Sequence, residues 1–323
     1  MSAVLEAVKQ GQPERLSALL GAQPQAADQR DEHGTPLLVI ATFLATCGGA
    51  IPTLRGTPES RAVLRVLLDA GADPDAADAS GATALHDAAR CGHADLVALL
   101  RRHGASLRGR LLDTDGGTPL ALALFYARHD MAEHLLPVVP DNLRHAAAMG
   151  RPLEPYLHRD GALTEGATVG LDFYRPSVGF PVWERTYGRQ EVVDEALTWA
   201  SRNGQIDGMQ QLVRLGADPN HNPYRGTPLL WAVYADDADA TTWLLDHGAD
   251  PDLRHDFGGA EHGTGAVAMH LAAQFGGLRC LRVLLERGAD ATVVDEGHGG
   301  TPLEWAEFSE QHEAAELLRR HLR

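Results

Sequence analysis

Four residues carry side chains that could exchange protons with a bound substrate: His145, Asp87, Tyr174 and Glu184. An imidazole and a carboxylate that flank a substrate can serve as general base and general acid, and a phenol or second carboxylate can complete the pair. Such a set suits metal-free chemistry, for example that of a cyclase, an isomerase or a lyase. The alternative is that His145 makes only a local hydrogen bond. We favour that alternative because no nucleophile accompanies the histidine at a suitable spacing.

A larger set of residues could bind a ligand without transforming it. Aromatic faces attract guanidinium and ammonium groups, whereas an arginine can receive a carboxylate through two hydrogen bonds. The residues therefore leave the charge of the ligand open. The candidates are aromatic except for one arginine: Trp199, Trp231, Trp305, Tyr234, Phe125, Tyr126, Tyr174, Trp183, Tyr187 and Arg175.

No motif for a cofactor or a metal accompanies these residues. The sequence contains no glycine-rich phosphate loop, no His-Glu-x-x-His and no Gly-x-Ser-x-Gly. Cys47, Cys91 and Cys280 lack the paired spacing of zinc ligands or of a disulfide framework. We therefore expect no cofactor, no metal and no paired cysteines.

Two short motifs recur along the chain and mark the elements that must position the candidates. Thr-Pro-Leu predicts a helix start, because proline is tolerated in a first turn, and Gly-Ala-Asp predicts a helix end, because glycine adopts the left-handed conformation. Where copies adjoin, the period is about 33 to 35 residues, as from Gly71 to Gly104, where the motif is Gly-Ala-Ser, and from Thr83, where it is Thr-Ala-Leu, to Thr118. The first motif begins at Thr35, Thr118, Thr227 and Thr301, and the second at Gly71, Gly216, Gly248 and Gly288.

The clearest copy runs from Gly81 to Gly104, with Gly-Ala-Thr-Ala-Leu-His-Asp-Ala-Ala-Arg-Cys-Gly-His at its start. This pattern, its turns and its period resemble the ankyrin-repeat family over nearly the whole chain. The resemblance implies an all-α solenoid of about nine helix-turn-helix units, forming one domain over residues 1–323. Residues 1–34 would form the N-terminal cap and residues 301–323 the C-terminal cap. The resemblance also implies that His86 and His270 hold turns rather than act on a ligand.

Residues 161–190 fit no repeat pattern and read as an insertion between the fifth and sixth repeats. A segment of this length inside a compact array is usually functional or disordered, and its many aromatic residues argue against disorder. We expect the insertion to act as a lid or side wall of a binding groove.

The resemblance implies that the fifth position of each repeat and the two positions before the next glycine face a concave groove. Trp199, Trp231 and Trp305 share the fifth position, and most other aromatic residues fall at the neighbouring positions or in the insertion. These rings could instead pack between adjacent helices. We favour a lined groove, because leucine, alanine and valine at other positions already supply the core.

The net charge of the chain limits the kinds of partner that we expect it to bind. The chain has 44 acidic and 28 basic residues and a formal net charge of −16. It lacks the basic stripe that nucleic-acid binding requires, so a cationic partner is favoured. Lys9 is its single lysine, an arginine bias typical of a GC-rich, bacterial genome. Without a long apolar run or a charged and apolar leader, we expect a cytoplasmic protein without membrane contact.

Two functions follow from these observations. The first is a binding protein that uses the aromatic groove and the 161–190 insertion to grip a peptide, a protein or a small molecule. The second is an enzyme with its pocket between the insertion and the inner helices. An open groove with dispersed aromatic contacts favours the first, and a closed pocket with converging ionisable groups favours the second.

Overall fold

The computed structural model describes residues 2–46, 57–109, 117–135, 142–171, 183–223, 226–255 and 264–323. Within these ranges the chain forms α-helices and short 3-10 turns, with three isolated β-bridges and no strand. The predicted all-α repeat fold is therefore confirmed. Among the predicted site residues, Tyr174 and Arg175 lie outside the described ranges, as does Cys47.

The described residues form two compact units. Unit 1 comprises residues up to 135 together with Gly170 and Leu171, and unit 2 comprises 142–169 and 183 onward. The helices of unit 1 are α1 Ala3–Lys9, α2 Pro13–Ala22, α3 Leu37–Thr46, α4 Pro58–Asp69, α5 Ala84–Cys91, α6 Ala94–Arg102, α7 Pro119–Phe125 and α8 His129–His134. Those of unit 2 are α9 Leu143–Ala148, α10 Arg189–Arg202, α11 Ile206–Arg214, α12 Pro228–Tyr234, α13 Ala238–Asp246, α14 Ala268–Phe275, α15 Leu278–Glu286, α16 Pro302–Phe308 and α17 His312–His321.

Within each unit, a first helix packs against the first helix of a neighbouring repeat and, where its repeat has one, against its own second helix. In unit 2, for example, α12 contacts α10, α13 and α14. The repeat that begins with α9 is the exception, because a single 3-10 turn, Glu154–Tyr156, stands where a second helix was predicted. The buried face of each first helix is built from alanine and leucine, which allows close approach of neighbouring helices.

The repeat motifs act locally as the sequence predicts. Thr227 caps α12 by accepting a hydrogen bond from the Leu230 N–H at 3.3 Å, and proline occupies the first turn. His86 accepts the Thr83 N–H at 3.1 Å through Nδ1, while its Nε2 lies 3.1 Å from the Gly117 carbonyl oxygen. His270 makes the equivalent contacts. The predicted structural role of both histidines is confirmed.

Side chains in the turns join each repeat to the next. Gly248 has φ of 92°, the left-handed conformation predicted for the Gly-Ala-Asp turn. The carboxylate or amide oxygens of one turn then accept backbone N–H groups of the following turn. These links are Asp28 to Asp73, Asp75 to Ser106, Asp194 to Asp218, Asn220 to Asp250, and Asp252 to Asp290, all between 2.7 and 2.9 Å. These side chains therefore stabilise the stacking of neighbouring repeats.

Helix α13 begins at a side-chain cap, because Asp237 accepts the N–H groups of Asp239 and Ala240. The expectation of unpaired cysteines is wrong for Cys91, which is disulfide-bonded. A disulfide joins residues that the fold brings together, so spacing along the chain carried no signal for it. Cys280 is free, and burial raises the pKa of its thiol to about 12.

No helix in the described ranges is both long and apolar enough to cross a membrane.

Candidate functional site

Helix α10 is the longest first helix of unit 2, because it starts one turn or more before the repeat pattern requires. It begins at Arg189, inside the last two residues of the predicted insertion. Glu191 lies in the first turn of α10, where the helix dipole favours a carboxylate. The helix also brings Glu195 into the interior. These two carboxylates organise the charged part of the site.

Glu195 is the hub of a buried ion cluster. Its Oε1 accepts from Nη1 of Arg144 at 2.6 Å and from Nη1 of Arg185 at 3.1 Å, and its Oε2 accepts from Nη2 of Arg185 at 2.5 Å. All three side chains are at most a few per cent exposed. Burial alone would lower the pKa of Arg185, but the charge of Glu195 and their hydrogen bond raise it above its ordinary value. Arg185 therefore stays charged in this buried position.

The cluster fixes the end of the insertion to α10. Arg185 also pairs with Glu191 at 3.4 Å, and Glu191 accepts hydrogen bonds from the backbone N–H and the hydroxyl of Thr186. On the other side of the insertion, the Asn142 amide donates to the Val169 carbonyl at 2.8 Å. The described ends of the insertion are thus held by α10 and by the N-cap of α9.

Three guanidinium groups lie over aromatic rings in unit 2. Measured from the guanidinium carbon to the ring centroid, the distances fall between 3.7 and 4.4 Å, the range of a cation–π contact. Two of these arginines also approach a tyrosine, at 5.2 and 5.7 Å. The pairs are Arg144 on Trp199, Arg185 on Trp183 with Tyr187 nearby, and Arg202 on Trp231 with Tyr234 nearby. This arrangement covers two of the rings predicted to line the groove, since Trp199 is 7% exposed and Trp231 is 4% exposed.

Of the five exposed aromatic rings among the described residues, Phe43 and Tyr187 lie elsewhere, at 40% and 44%, and three lie on the last three repeats. Tyr234 is 39% exposed, Phe275 is 53% exposed and Phe308 is 91% exposed. They are the last residues of α12, α14 and α16, which are three consecutive first helices. Tyr234 joins the series to Trp231, with edge-to-face ring centroids 5.6 Å apart, and to Phe275 at 5.2 Å. We call Tyr234, Phe275 and Phe308 the exposed aromatic row.

Trp305 serves mainly the turn that precedes its helix. Its indole Nε1 donates to Asp295 at 2.9 Å, and its ring meets the edge of His270 at 5.1 Å. Burial alone would raise the pKa of Asp295, but hydrogen bonds from the His298 N–H and the Trp305 indole lower it to about 2. Trp305 therefore braces a turn that holds an ionised carboxylate.

The remaining aromatic candidates, Phe125 and Tyr126, lie in unit 1. Their rings meet edge to face with centroids 5.3 Å apart, and Arg90 lies 5.9 Å from the Tyr126 centroid. Arg90 also donates to Asp87 at 2.8 Å. Unit 1 thus repeats the combination of an arginine and an aromatic ring.

The residues proposed for acid and base chemistry are not brought together within one unit. His145 lies in unit 2, fully buried, with its ring centroid 5.4 Å from that of Trp199. Burial, with the positive charge of Arg144, holds the pKa of His145 well below its ordinary value, so the ring is neutral. Asp87 belongs to unit 1, where burial raises its pKa, and Glu184 is exposed. The acid and base hypothesis stays a prediction.

The first helices that carry the exposed aromatic row contain no lysine or arginine. Of the three, α12 and α14 also contain no carboxylate, whereas α16 contains Glu304 and Glu307. Around Phe308 lie Glu307, which accepts from Arg319 at 2.6 Å, and exposed Glu310, whose φ of 57° places it in a left-handed turn. The surroundings of Phe308 therefore contain two exposed carboxylates and one arginine, Arg319, which is paired with Glu307.

Comparison with known proteins identifies the fold family. A model described as ankyrin repeats, in three copies, matches residues 57–143 and 188–255, and one described as an ankyrin repeat matches 264–296. These matches cover more than half of the chain. It belongs to the ankyrin-repeat family. The interval between 143 and 188, which neither model matches, contains most of the 161–190 insertion.

Relatives of established name resemble part of this ankyrin-repeat chain. Cyclin-dependent kinase 4 inhibitor B of Rattus norvegicus is 32% identical over 125 residues, which are 39% of this chain and 91% of the relative. The Homo sapiens form is 32% identical over 126 residues, covering 39% and 86%. Ankyrin repeat and SOCS box protein 16 of Mus musculus is 37% identical over 131 residues, covering 35% and 27%. Family and relatives together support a protein-binding repeat protein.

Two members of the ion cluster, Arg144 and Glu195, were not recognised in the sequence. Each is a charged residue within a stretch of small or apolar side chains that packs on a neighbouring first helix. That signal, a charge where the repeat expects a core residue, is available without a structure. It indicates a buried pair but does not identify the partner.

Proposed function

We propose that this protein is a binding module that holds a partner protein on the exposed aromatic row of its last three repeats. The observation that carries this proposal is the exposure of Tyr234, Phe275 and Phe308 as the last residues of consecutive first helices. Exposed rings that form a series are unusual on a soluble protein and commonly mark an interaction surface. Aromatic side chains are also the anchors that dominate protein–protein binding energy.

A buried pair, Arg202 stacked on Trp231, borders this surface. Arg202 and Trp231 lie next to Tyr234, and both are almost fully buried. A surface that is organised before binding loses less side-chain freedom when the partner docks. We assign the 161–190 insertion the role of a side wall, because Arg185 and Thr186 at its end are anchored on α10.

The enzyme alternative has weaker support. Glu195 is engaged by two arginines, and His145 is buried and neutral beside Trp199. A general acid or base must reach the proton that it transfers. Open, exposed rings are also typical of a partner-binding groove rather than of a closed pocket.

Similarity to the kinase inhibitor supports only the general proposal that this chain binds another protein. That relative is named as an inhibitor of cyclin-dependent kinase 4, and it matches 39% of this chain. We carry over to this protein the binding of another protein and not the identity of the target.

The proposal is tested by capture of partners from the native source with matched variants. Wild-type protein is compared with Tyr234→Ala/Phe275→Ala/Phe308→Ala and with Val294→Ala/Leu322→Ala as the control. The control removes apolar side chains of similar exposure, 45% and 44%, elsewhere in unit 2. We expect quantitative proteomics to find a partner retained by the wild type and the control and depleted about tenfold or more from the row variant. Equal capture by all three proteins would refute the proposed surface.

A further inference from the structure

The chain repeatedly covers an aromatic ring with one of its own arginines. Trp199, Trp183 and Trp231 each carry a guanidinium at 3.7 to 4.4 Å from the ring centroid. Arginine is well suited to this contact, because its planar and weakly hydrated group stacks on a ring while its N–H groups still bond to carboxylates. Arg185 does both at once, stacked on Trp183 and bonded to Glu195.

Within the exposed aromatic row, Phe275 and Phe308 are the rings that continue this series without an arginine of their own among the described residues. Arg202 precedes the row, lies on Trp231 and reaches Tyr234 at 5.7 Å. Phe275 and Phe308 follow, and in the part of the chain that the structure describes no guanidinium or ammonium lies over either ring. Their faces are available, as their exposures of 53% and 91% indicate.

The charges beside Phe308 complement a cation. The first helices of the row carry no lysine or arginine, whereas Glu307 lies one residue before Phe308 and Glu310 two residues after it. The pair between Glu307 and Arg319 is solvent-exposed on both sides. Exposed pairs of this kind contribute about 0 to 1 kcal/mol, so a partner's arginine can replace Arg319 at small cost. The net charge of −16 also attracts a positively charged segment from a distance.

We infer that the partner segment presents arginine side chains that stack on Phe275 and Phe308 and pair with Glu307 and Glu310. The inference rests on the proposed function, because it specifies the chemistry of what the exposed aromatic row binds. Arginine is preferred over lysine, since only a guanidinium combines the flat stack with forked bonding to a carboxylate.

Three short fluorescein-labelled peptides test the chemistry directly. In the first, arginine alternates with serine; in the second, citrulline replaces arginine and keeps its shape without the charge; in the third, glutamate replaces it. Fluorescence anisotropy at physiological salt measures the dissociation constant of each peptide. We expect the arginine peptide to bind wild-type protein about tenfold or more tightly than the citrulline peptide, and the glutamate peptide not to bind.

Variants separate stacking from attraction to the overall charge. Phe275→Ala/Phe308→Ala preserves every charge, and we expect it to weaken the arginine peptide about tenfold. Glu307→Gln/Glu310→Gln should weaken the arginine peptide but not the citrulline peptide. Val294→Ala/Leu322→Ala, the control defined above, should change neither.

The inference is overturned if no peptide binds, if citrulline binds as well as arginine, or if loss of both phenylalanines leaves arginine binding intact. Failure of this inference can be distinguished from failure of the proposed function. If the row variant loses its captured partner while the arginine and citrulline peptides behave alike, the docking surface stands and the arginine specificity falls. If the row variant captures its partner normally, the proposed function itself fails.

Discussion

Arg185 grips Glu195 with both terminal nitrogens of its guanidinium, at 3.1 and 2.5 Å from the two carboxylate oxygens. The two residues come from different elements, the end of the insertion and the interior of α10. Because both side chains are almost fully buried, the pair ties the insertion to the repeat array by an interaction that water screens little. Arg144, bonded to the same carboxylate, extends this tie to α9.

Loss of the shared carboxylate should be costly. In Glu195→Gln, Arg144 and Arg185 would both lose the buried carboxylate charge that they share, and removing one partner of a buried pair typically costs about 3 to 5 kcal/mol. We expect a loss of that order in the free energy of unfolding, measured by urea denaturation. Glu307→Gln is the matched control, since its pair with Arg319 is exposed and should contribute about 1 kcal/mol or less. Equal effects of the two substitutions would contradict the buried hub.

Close packing of α9 and α11 makes a second prediction. A Cβ added at Gly208 would lie 2.8 Å from the Ala147 carbonyl oxygen, and a backbone atom cannot turn aside. We expect Gly208→Ala to destabilise the protein by about 1 to 3 kcal/mol despite the helix preference of alanine.

Gly21 provides the control for this substitution. It lies within α2, and an added Cβ would meet no atom within 4 Å. Gly21→Ala should therefore raise the free energy of unfolding by about 0.4 to 1 kcal/mol. If both substitutions proved stabilising, the close approach of α9 and α11 would be refuted.

The carboxylate of Asp295 should make the free energy of unfolding depend on pH in the acidic range. Its pKa of about 2 lies below the unfolded value near 3.8, so its contribution is complete above about pH 4 and is lost as the pH falls towards 2. The shift corresponds to about 2 kcal/mol at neutral pH. We expect wild-type protein to exceed Asp295→Asn in stability at pH 6 and the gap to narrow steadily between pH 4 and pH 2, followed by chemical denaturation. A gap that stayed constant would rule out the ionised carboxylate as its source.

The aromatic residues should divide into two classes. Phe275→Ala/Phe308→Ala removes exposed rings, so the free energy of unfolding should change by about 0.5 kcal/mol or less per site. Trp199→Ala opens a cavity beneath Arg144 and should cost about 3 to 5 kcal/mol. Thermal and urea denaturation measure both. A neutral Trp199→Ala would instead indicate that the tryptophan is dispensable for the core.

The sequence sufficed for features that depend on local chemistry. The Thr-Pro start and Gly-Ala-Asp end of the repeat at α12 and α13 lie where their motifs predict, since a cap and a left-handed glycine act within one turn. Helix α4 likewise has a threonine N-cap, Thr57, and a proline, Pro58, in its first turn. Such signals need no knowledge of distant residues.

Features that depend on residues far apart in sequence were not predictable in this way. Trp231 and Trp305 share a repeat position, yet Arg202 covers the first and Asp295 anchors the second. A pattern within one repeat cannot distinguish them, because the deciding neighbour comes from another element. The same reason hid the disulfide of Cys91 and the link between Arg144 and Glu195.

Site-specific photo-crosslinking at Phe308 tests the binding surface most directly. A photoreactive phenylalanine analogue in place of Phe308 keeps an aromatic ring at the most exposed position of the row, and the same analogue at Leu322 provides the control. We predict that irradiation in the native source joins the Phe308 derivative, and not the Leu322 derivative, to a second protein through one of its arginine-bearing segments. Crosslinking at Leu322 alone, or none at Phe308 under conditions where the partner is captured, would contradict binding on the exposed aromatic row.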